Sequence, residues 1–302
     1  MLRPTTFRVW SAGFAALLLL ASPALSQSLA PPSASLTGFD KTVAIEIELG
    51  SDDWRIAKLA ASPRRHDLVT ITRGAKKLDG FVVYPATGEK RPVVLMMPED
   101  QGLNNWARDM ADEVAAMGYI VIVPDILSGM GPNGGGRSSY PDLRSAMAAH
   151  SSLTQNPAAE PVMTADLNAW ADFANRMPQS NGKLGALGFA WGAGRIFNFA
   201  TQRKDLSSVF IFYDAAPPAE KVVGVTAPVY GFYAAIDPRV TRSLDGTKAA
   251  LTAAGKSYET VVYPESDHMF VRLGEEPRDK NPANIVARHQ SLARLQDLLG
   301  RM

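Results

Sequence analysis

Apolar runs and helical periods alternate along the chain from about residue 77, and this alternation restricts the possible folds more than any other feature. Between two such runs, Asn105 to Met117 places Trp106, Met110 and Val114 on one helical face. Continuous apolar strands separated by amphipathic helices are typical of a mostly parallel sheet that is covered on both faces. The predicted strands are 80–84, 93–97, 119–123, 183–187, 208–213, 229–233 and 258–263.

The pattern therefore predicts an α/β fold with a doubly wound, mostly parallel sheet and helices on both faces. In such sheets a ligand binds at the carboxyl ends of the strands. Functional residues are accordingly expected directly after the predicted strands. The predicted helices are 105–117, 161–176, 191–202, 241–254 and 284–299.

The N-terminus has the pattern of a secretory signal peptide. Arg3 and Arg8 precede an apolar stretch over 9–21, and Ala24 and Ser26 provide the small residues of a cleavage site. An N-terminal membrane anchor is the alternative, but the stretch is shorter than the ~20 residues that span a bilayer. We expect residues 1–26 to be removed, 27–76 to form a spacer and extension, and 77–302 to form the main domain. The mature protein would be periplasmic or secreted.

Composition excludes several classes of function. The chain has no cysteine, so disulfides, cysteine-ligated zinc and thiolate catalysis are excluded. A net charge of +1 favours neither nucleic acid nor, after signal cleavage, a membrane surface as partner. The four histidines are scattered without paired ligand spacing. We therefore predict no metal and no cofactor.

The segment 184–194 reads as an apolar strand, a sharp turn and the start of a helix. Gly188 and Gly192 bracket Ala190 in the order of a nucleophile elbow, with alanine at the reactive position. No serine or threonine lies between Gly182 and Ala200, so no shift of register supplies a nucleophile. The glycine spacing also fits short-chain dehydrogenases, but no tyrosine here has the lysine four residues later that those enzymes need.

Two further residues lie at predicted strand ends in the order that acyl-transfer chemistry requires. Asp237 follows the run 229–233, and His268 follows the run 258–263. In this kind of fold the chain order is nucleophile, acid, histidine, and the acid orients the histidine as base. We therefore predict that Asp237 and His268 are hydrogen bonded near Ala190.

Over about residues 70 to 300 the chain resembles the dienelactone hydrolase family of α/β-hydrolases. The resemblance rests on the segments 93–104, 117–125, 188–192, 209–213 and 267–272, together with Asp237. It implies that Glu99 meets the nucleophile in the resting state and that the N–H groups of Asp100 and Trp191 form the oxyanion hole. It further implies that Arg272 binds an anionic group of the substrate. The expected ligand is a small ester, lactone or carboxylate.

The chain also departs from the family pattern. Besides Ala190, Pro98 stands where the family often has histidine, and Gly129 lies where a second carboxylate-binding arginine is expected. Arg137, in the glycine-rich segment 128–140, is a candidate to replace that charge. We expect this segment to be either a flexible surface loop or a mobile rim over the site, and 151–160 to be a plain connection.

Three functional hypotheses are compatible with alanine at the elbow. The protein is an ester or lactone hydrolase that works without a covalent step, with Asp237 and His268 activating water. It is alternatively an inactive pseudoenzyme that binds a small, anionic ligand in the retained pocket. Third, Ala190 is an engineered knock-out of a working hydrolase.

Overall fold

A computed structural model describes residues 53–302 of the chain. The predicted signal peptide and the first part of the predicted spacer lie outside the described residues. Export therefore stays a prediction.

The described residues form an eight-stranded sheet in the order β1-β2-β4-β3-β5-β6-β7-β8. The first two pairings, β1 with β2 and β2 with β4, are antiparallel, and all the others are parallel. This confirms the predicted α/β fold with a mostly parallel sheet. The strands are β1 Arg65–Arg73, β2 Lys76–Tyr84, β3 Arg91–Met97, β4 Ile120–Pro124, β5 Ser180–Phe189, β6 Leu206–Phe212, β7 Val229–Ile236 and β8 Tyr258–Asp267.

The helices are α1 Asp53–Ala60, α2 Asn105–Ala116, α3 Leu143–Thr154, α4 Glu160–Arg176, α5 Trp191–Gln202, α6 Ala219–Val222, α7 Pro238–Ala253, α8 Phe270–Leu273 and α9 Pro282–Leu299. The bounds of α5 agree with the prediction, whereas α7 and α9 begin earlier than predicted. Both begin at a proline, which suits the first helical turn because its missing N–H is not needed there. Among residues 53–302, no helix combines the length and hydrophobicity that a membrane span needs.

Two apolar layers enclose the sheet, and β3 shows why. Val94 and Met96 belong to the layer beneath α2 and α9, whereas Val93, Leu95 and Met97 belong to the layer beneath α4 and α5. Successive side chains of a strand point to opposite faces, so a strand with helices on both sides must be apolar throughout. The continuous apolar runs in the sequence have this origin.

Residues before 77 contribute to the same sheet. Strands β1 and β2 form a hairpin in which Arg73 pairs with Lys76, so the predicted domain boundary at residue 77 falls inside β2. The residues of β1 are all at least partly exposed, and the strand therefore lacks the apolar run that identified the others.

The plain connection predicted at 151–160 is wrong. Helix α3 continues to Thr154, a short 3-10 turn covers Pro157–Ala159, and α4 begins at Glu160. Only two residues of α3, Ala146 and His150, are buried, which explains why its hydrophobic pattern is weak.

Candidate active site

Ala190 forms the apex of a sharp turn between β5 and α5. Its backbone angles, φ 45° and ψ −125°, lie in a region that residues with a side chain rarely adopt. Tight packing on both sides enforces this geometry. A Cβ on Gly188 would lie 2.5 Å from Cα of Ala193, and one on Gly192 would lie 2.1 Å from the carbonyl oxygen of Pro98. Gly188 is thus required by the close approach of β5 to the start of α5, and Gly192 by the close approach of the turn to the end of β3.

The chain forms a tight turn over residues 99–102, directly after β3, and the N–H group of Asp100 points away from this turn. The N–H of Gly102 donates to the carbonyl oxygen of Glu99 at 3.1 Å, with Gly102 at φ +67°. Because the carbonyl and the N–H of a trans peptide point in opposite directions, the N–H of Asp100 points out of this turn.

A second N–H belongs to Trp191, at the first turn of α5, where helical N–H groups have no intrahelical acceptor. Neither this N–H nor that of Asp100 takes part in a turn, cap or side-chain hydrogen bond within residues 53–302. Both are therefore available to an external acceptor.

His268 and Asp237 are hydrogen bonded, as their positions after β8 and β7 predict. The distance between Nδ1 of His268 and Oδ2 of Asp237 is 2.8 Å. A carboxylate only accepts hydrogen bonds, so Nδ1 carries the proton and Nε2 of the neutral ring is left as acceptor. Asp237 is buried, whereas 35% of the His268 side chain is exposed. An oriented, accessible imidazole of this kind can take a proton from a reacting group.

Glu99 is buried at the end of β3 between two donors. The hydroxyl of Tyr213 donates to its Oε1 at 3.3 Å, and Nη1 of Arg272 donates to its Oε2 at 3.4 Å. Burial raises the pKa of Glu99 to about 7, although the charge of Arg272 opposes the rise. The cost of removing a carboxylate from water exceeds the attraction of one long ion pair, so Glu99 titrates near neutral pH.

Tyr213 connects the residues of the site, although it is not among the site residues that the sequence predicts. Its ring meets the His268 ring edge-on at 5.3 Å, while its hydroxyl contacts Glu99. The preceding residue, Phe212, accepts the N–H of Ala190 at 3.0 Å. Burial raises the pKa of the Tyr213 hydroxyl well above its usual range, so the hydroxyl stays a proton donor. Its position directly after β6 was the one available signal.

Arg272 lies on the short helix α8 and faces two carboxylates. Besides Glu99, its Nε lies 4.0 Å from Oε1 of Glu276. The predicted substrate-binding arginine is thus paired with acids of the protein itself.

The glycine-rich segment 128–140 is at least partly exposed over residues 129–135 and is anchored to the protein by Arg137. It contains two short 3-10 turns, and Arg137 is buried. The N–H of Arg137 donates to Oδ2 of Asp125 at 2.6 Å, and its Nη1 donates to the carbonyl oxygen of Gln101 at 3.2 Å. Arg137 therefore contacts the backbone next to Asp100.

In the part of the chain from 53 onwards, one group of three carboxylates has metal-ligand spacing, namely Asp109, Glu113 and Glu275. Lys58 pairs with Asp109 at 2.8 Å, and Arg288 pairs with Glu113 and Glu275 at 2.7 and 2.9 Å. Side-chain cations already neutralise the group, which is therefore an ion-pair network.

Comparisons with known proteins agree with this architecture. The family model described as "Dienelactone hydrolase family" matches residues 78–302. A protein of Methylorubrum extorquens, provisionally named a carboxymethylenebutenolidase, is 26% identical over 205 residues, which cover 64% of this chain and 68% of that protein. A protein of Escherichia coli K12 with the same provisional name is 26% identical over 237 residues, which cover 70% of this chain and 84% of that protein.

Solved structures show the same fold. A dienelactone hydrolase-like promiscuous phosphotriesterase from metagenomic libraries superposes with a TM-score of 0.63 at 20% identity, covering 78% of this chain and 98% of that one. The dienelactone hydrolase of Anabaena variabilis superposes with a TM-score of 0.55 at 19% identity, covering 76% and 96% of the two chains. The match over 78–302 shows that the chain belongs to the dienelactone hydrolase family, a family of α/β-hydrolases, and the shared fold agrees with this.

Proposed function

We propose that this protein is an exported hydrolase of small esters or lactones in which Ala190 occupies the nucleophile position and His268 activates water directly. The observation that carries the proposal is the 2.8 Å hydrogen bond between Nδ1 of His268 and Oδ2 of Asp237. The methyl group of Ala190 cannot attack a carbonyl, so water is the nucleophile that the site can use.

The chemistry requires one proton acceptor and one anion site. Nε2 of His268 takes a proton from water as the water oxygen bonds to the substrate carbonyl carbon. The negative charge on the carbonyl oxygen is stabilised by the N–H groups of Asp100 and Trp191. The bond to the leaving oxygen then breaks, and the protonated His268 returns its proton to that oxygen. The products are an acid and an alcohol, or a single hydroxy acid from a lactone.

Such a site is expected to be slow. Enzymes that lose a triad member retain about 10³–10⁴-fold acceleration over water from the oxyanion hole and binding alone. Oriented general base catalysis would act in addition, and its typical contribution is about 10²–10⁴-fold. The proposal thus predicts measurable but weak turnover.

The test is hydrolysis of p-nitrophenyl acetate by purified protein. We expect a rate above the buffer background that falls roughly 10²-fold in His268→Gln, because the base is removed while the oxyanion donors stay. His289→Gln is the matched control, since His289 is an exposed residue of α9. A parent rate equal to the buffer background, or equal rates in the two variants, would rule out this mechanism.

A specific observation supports a second candidate, a binding protein for a small carboxylate. Arg272 lies 3.4 Å from Glu99, whose pKa of about 7 makes its charge depend on pH near neutrality. Below that pKa Glu99 is neutral, and the charge of Arg272 is available to the carboxylate of a ligand. Above it, Glu99 competes with the ligand for the same guanidinium.

Binding of benzoate, followed by calorimetry, distinguishes this candidate. The affinity should fall by about tenfold from pH 6 to pH 8, because binding then requires Glu99 to take up a proton. Arg272→Gln should abolish binding at both pH values. Binding with the same affinity at pH 6 and pH 8 would contradict the role assigned to Glu99.

Export is the remaining part of the proposal, and its support is the N-terminal pattern of Arg3, Arg8 and the apolar stretch over 9–21. The intact mass of the mature protein should correspond to a chain that begins at or near Gln27. Full-length protein in the cytoplasm would contradict it.

A further inference from the structure

A series of ion pairs connects α1 with the candidate active site, although α1 lies before the stretch that matches the family. Nη2 of Arg55 donates to Oε1 of Glu276 at 2.8 Å. The same Oε1 lies 4.0 Å from Nε of Arg272, and Nη1 of Arg272 lies 3.4 Å from Glu99. Arg55 is separated from Glu276 by 221 positions in the chain, so only the fold brings them together.

Arg55 is anchored more firmly than a surface arginine. Its side chain is fully buried, and its Nε and Nη2 also donate to Oε1 of Glu275 at 3.0 and 2.6 Å. A buried guanidinium is stable only when carboxylates surround it in good geometry. The two adjacent acids after α8 supply these carboxylates, and Arg55 thereby fixes the backbone segment that follows Arg272.

Glu276 is the acceptor that two arginines share. Its contact with Arg55 is short, whereas its contact with Arg272 is at the limit of an ion pair. Without Arg55, the uncompensated charge of Glu276 would attract Arg272, whose hold on Glu99 is itself long. Two carboxylates would then compete for one guanidinium.

We infer that Arg55 is a positioning residue, which neutralises Glu276 so that Arg272 remains against Glu99. The residue acts on Arg272 through Glu276. The inference rests on the proposed function for the roles of Glu99 and Arg272, but the geometry that carries it is independent of turnover. By this inference α1, which lies before the region that matches the family, helps to position Arg272.

The charged groups around both ends of this series are known from the structure. Glu99 is surrounded by Tyr213, Arg272 and Asp100. The groups around Arg55 and its acids are Glu113, Glu275, Glu276 and Arg288, with Lys58 and Asp109 next to Glu113. Arg288 continues to neutralise Glu113 and Glu275 when Arg55 is removed, so the charge left unbalanced is chiefly that of Glu276.

The test measures the titration midpoint of Glu99 by NMR of protein carrying ¹³C-labelled glutamate, with Glu99→Gln to assign the signal. We expect Arg55→Gln to raise the midpoint by about one pH unit, because Glu99 loses its guanidinium partner. Lys58→Gln is the matched control. It also removes a cation of α1, but one that pairs with Asp109 and Glu113 rather than Glu276. Its midpoint should equal that of the parent.

A double variant separates positioning from a general effect on the fold. In a Glu276→Gln background, Arg55→Gln should leave the Glu99 midpoint unchanged, because the competing carboxylate is gone. The same shift in both backgrounds, or no shift in either, would overturn the inference.

Glu276→Gln alone provides an independent arm if the Arg55 variant does not fold. It should lower the midpoint, since Arg272 then has Glu99 as its remaining partner, and an unchanged midpoint would overturn the inference. The titration is recorded without substrate. A protein that hydrolyses nothing therefore still gives a clear result, and failure of the proposed function is distinguishable from failure of this inference.

Discussion

Replacing Ala190 with cysteine should raise the rate of ester hydrolysis by at least ~10³-fold over the parent. Removing the nucleophile from a complete triad can cost about 10⁶ in turnover, so restoring it at a prepared site should recover a large part of that factor. The other groups that covalent catalysis needs are a base, an acid that orients it and donors for the oxyanion. His268 is oriented by Asp237 at 2.8 Å, and the N–H groups of Asp100 and Trp191 are available to an acceptor.

The backbone at position 190 favours this outcome. Its positive φ is a conformation that costs about 1–3 kcal/mol and persists only where the surroundings enforce it. Gly188 and Gly192 keep this geometry whatever side chain stands at the apex. A thiol introduced there would be presented on the sharp turn on which α/β-hydrolases present their nucleophile.

The measurement is the steady-state rate with p-nitrophenyl acetate. Because the chain has no cysteine, Ala253→Cys is a matched control that places a single thiol at an exposed site at the end of α7. His268→Ala should abolish the gain when combined with Ala190→Cys. A folded Ala190→Cys protein no faster than Ala253→Cys would show that the site no longer supports covalent catalysis, and the carboxylate-binding function would then be favoured.

Glu99→Gln should stabilise the protein at pH 8 and leave its stability nearly unchanged at pH 4. The pKa of Glu99 rises from 4.5 to about 7 on folding because the carboxyl is buried. A folded pKa above the unfolded one means that the neutral form is favoured by the fold. The contribution of Glu99 to the free energy of unfolding is therefore most favourable below pH 4.5, becomes less favourable as the pH rises to 7, and is least favourable above 7. The shift corresponds to a penalty of about 3 kcal/mol above pH 7.

Glutamine has nearly the same shape as the neutral carboxyl and carries no charge at any pH, so it removes this penalty. Urea unfolding at the two pH values measures the effect. Glu220→Gln is the control, since Glu220 is exposed on α6 and its loss should change stability equally little at both. If Glu99→Gln instead destabilised the protein at pH 8, the ion pair with Arg272 would outweigh the cost of burial.

Stabilisation by removing a site residue would have a functional meaning. A buried carboxylate that costs free energy at the working pH is retained in proteins where its charge serves binding or chemistry, and such sites commonly trade stability for function. For Glu99, the functional properties that would accompany this loss of stability are its pKa near 7 and its contact with Arg272.

The local sequence determined most of the sheet and the framework of the site. Strand β3 and helix α5 were predictable because a strand covered on both faces must be apolar throughout and an amphipathic helix repeats every 3.6 residues. The elbow was predictable from Gly188 and Gly192, because the sharp turn requires residues without a side chain at this spacing. Asp237 and His268 were predictable because strand ends of a parallel sheet meet at one edge.

Tertiary structure alone decided the rest, because strand pairing, burial and charge balance depend on contacts that no hydrophobic pattern encodes. Strand β1 is a partly exposed edge strand and so carries no apolar run, and only its pairing with β2 reveals it. The elevated pKa of Glu99 depends on burial next to Tyr213, which follows β6, and Arg272 of α8, and no local pattern encodes these contacts. The contact of Arg55 with Glu276 joins positions 221 apart. Hydrophobic periodicity is a property of neighbouring residues, whereas burial, charge balance and strained contacts are properties of the assembled fold.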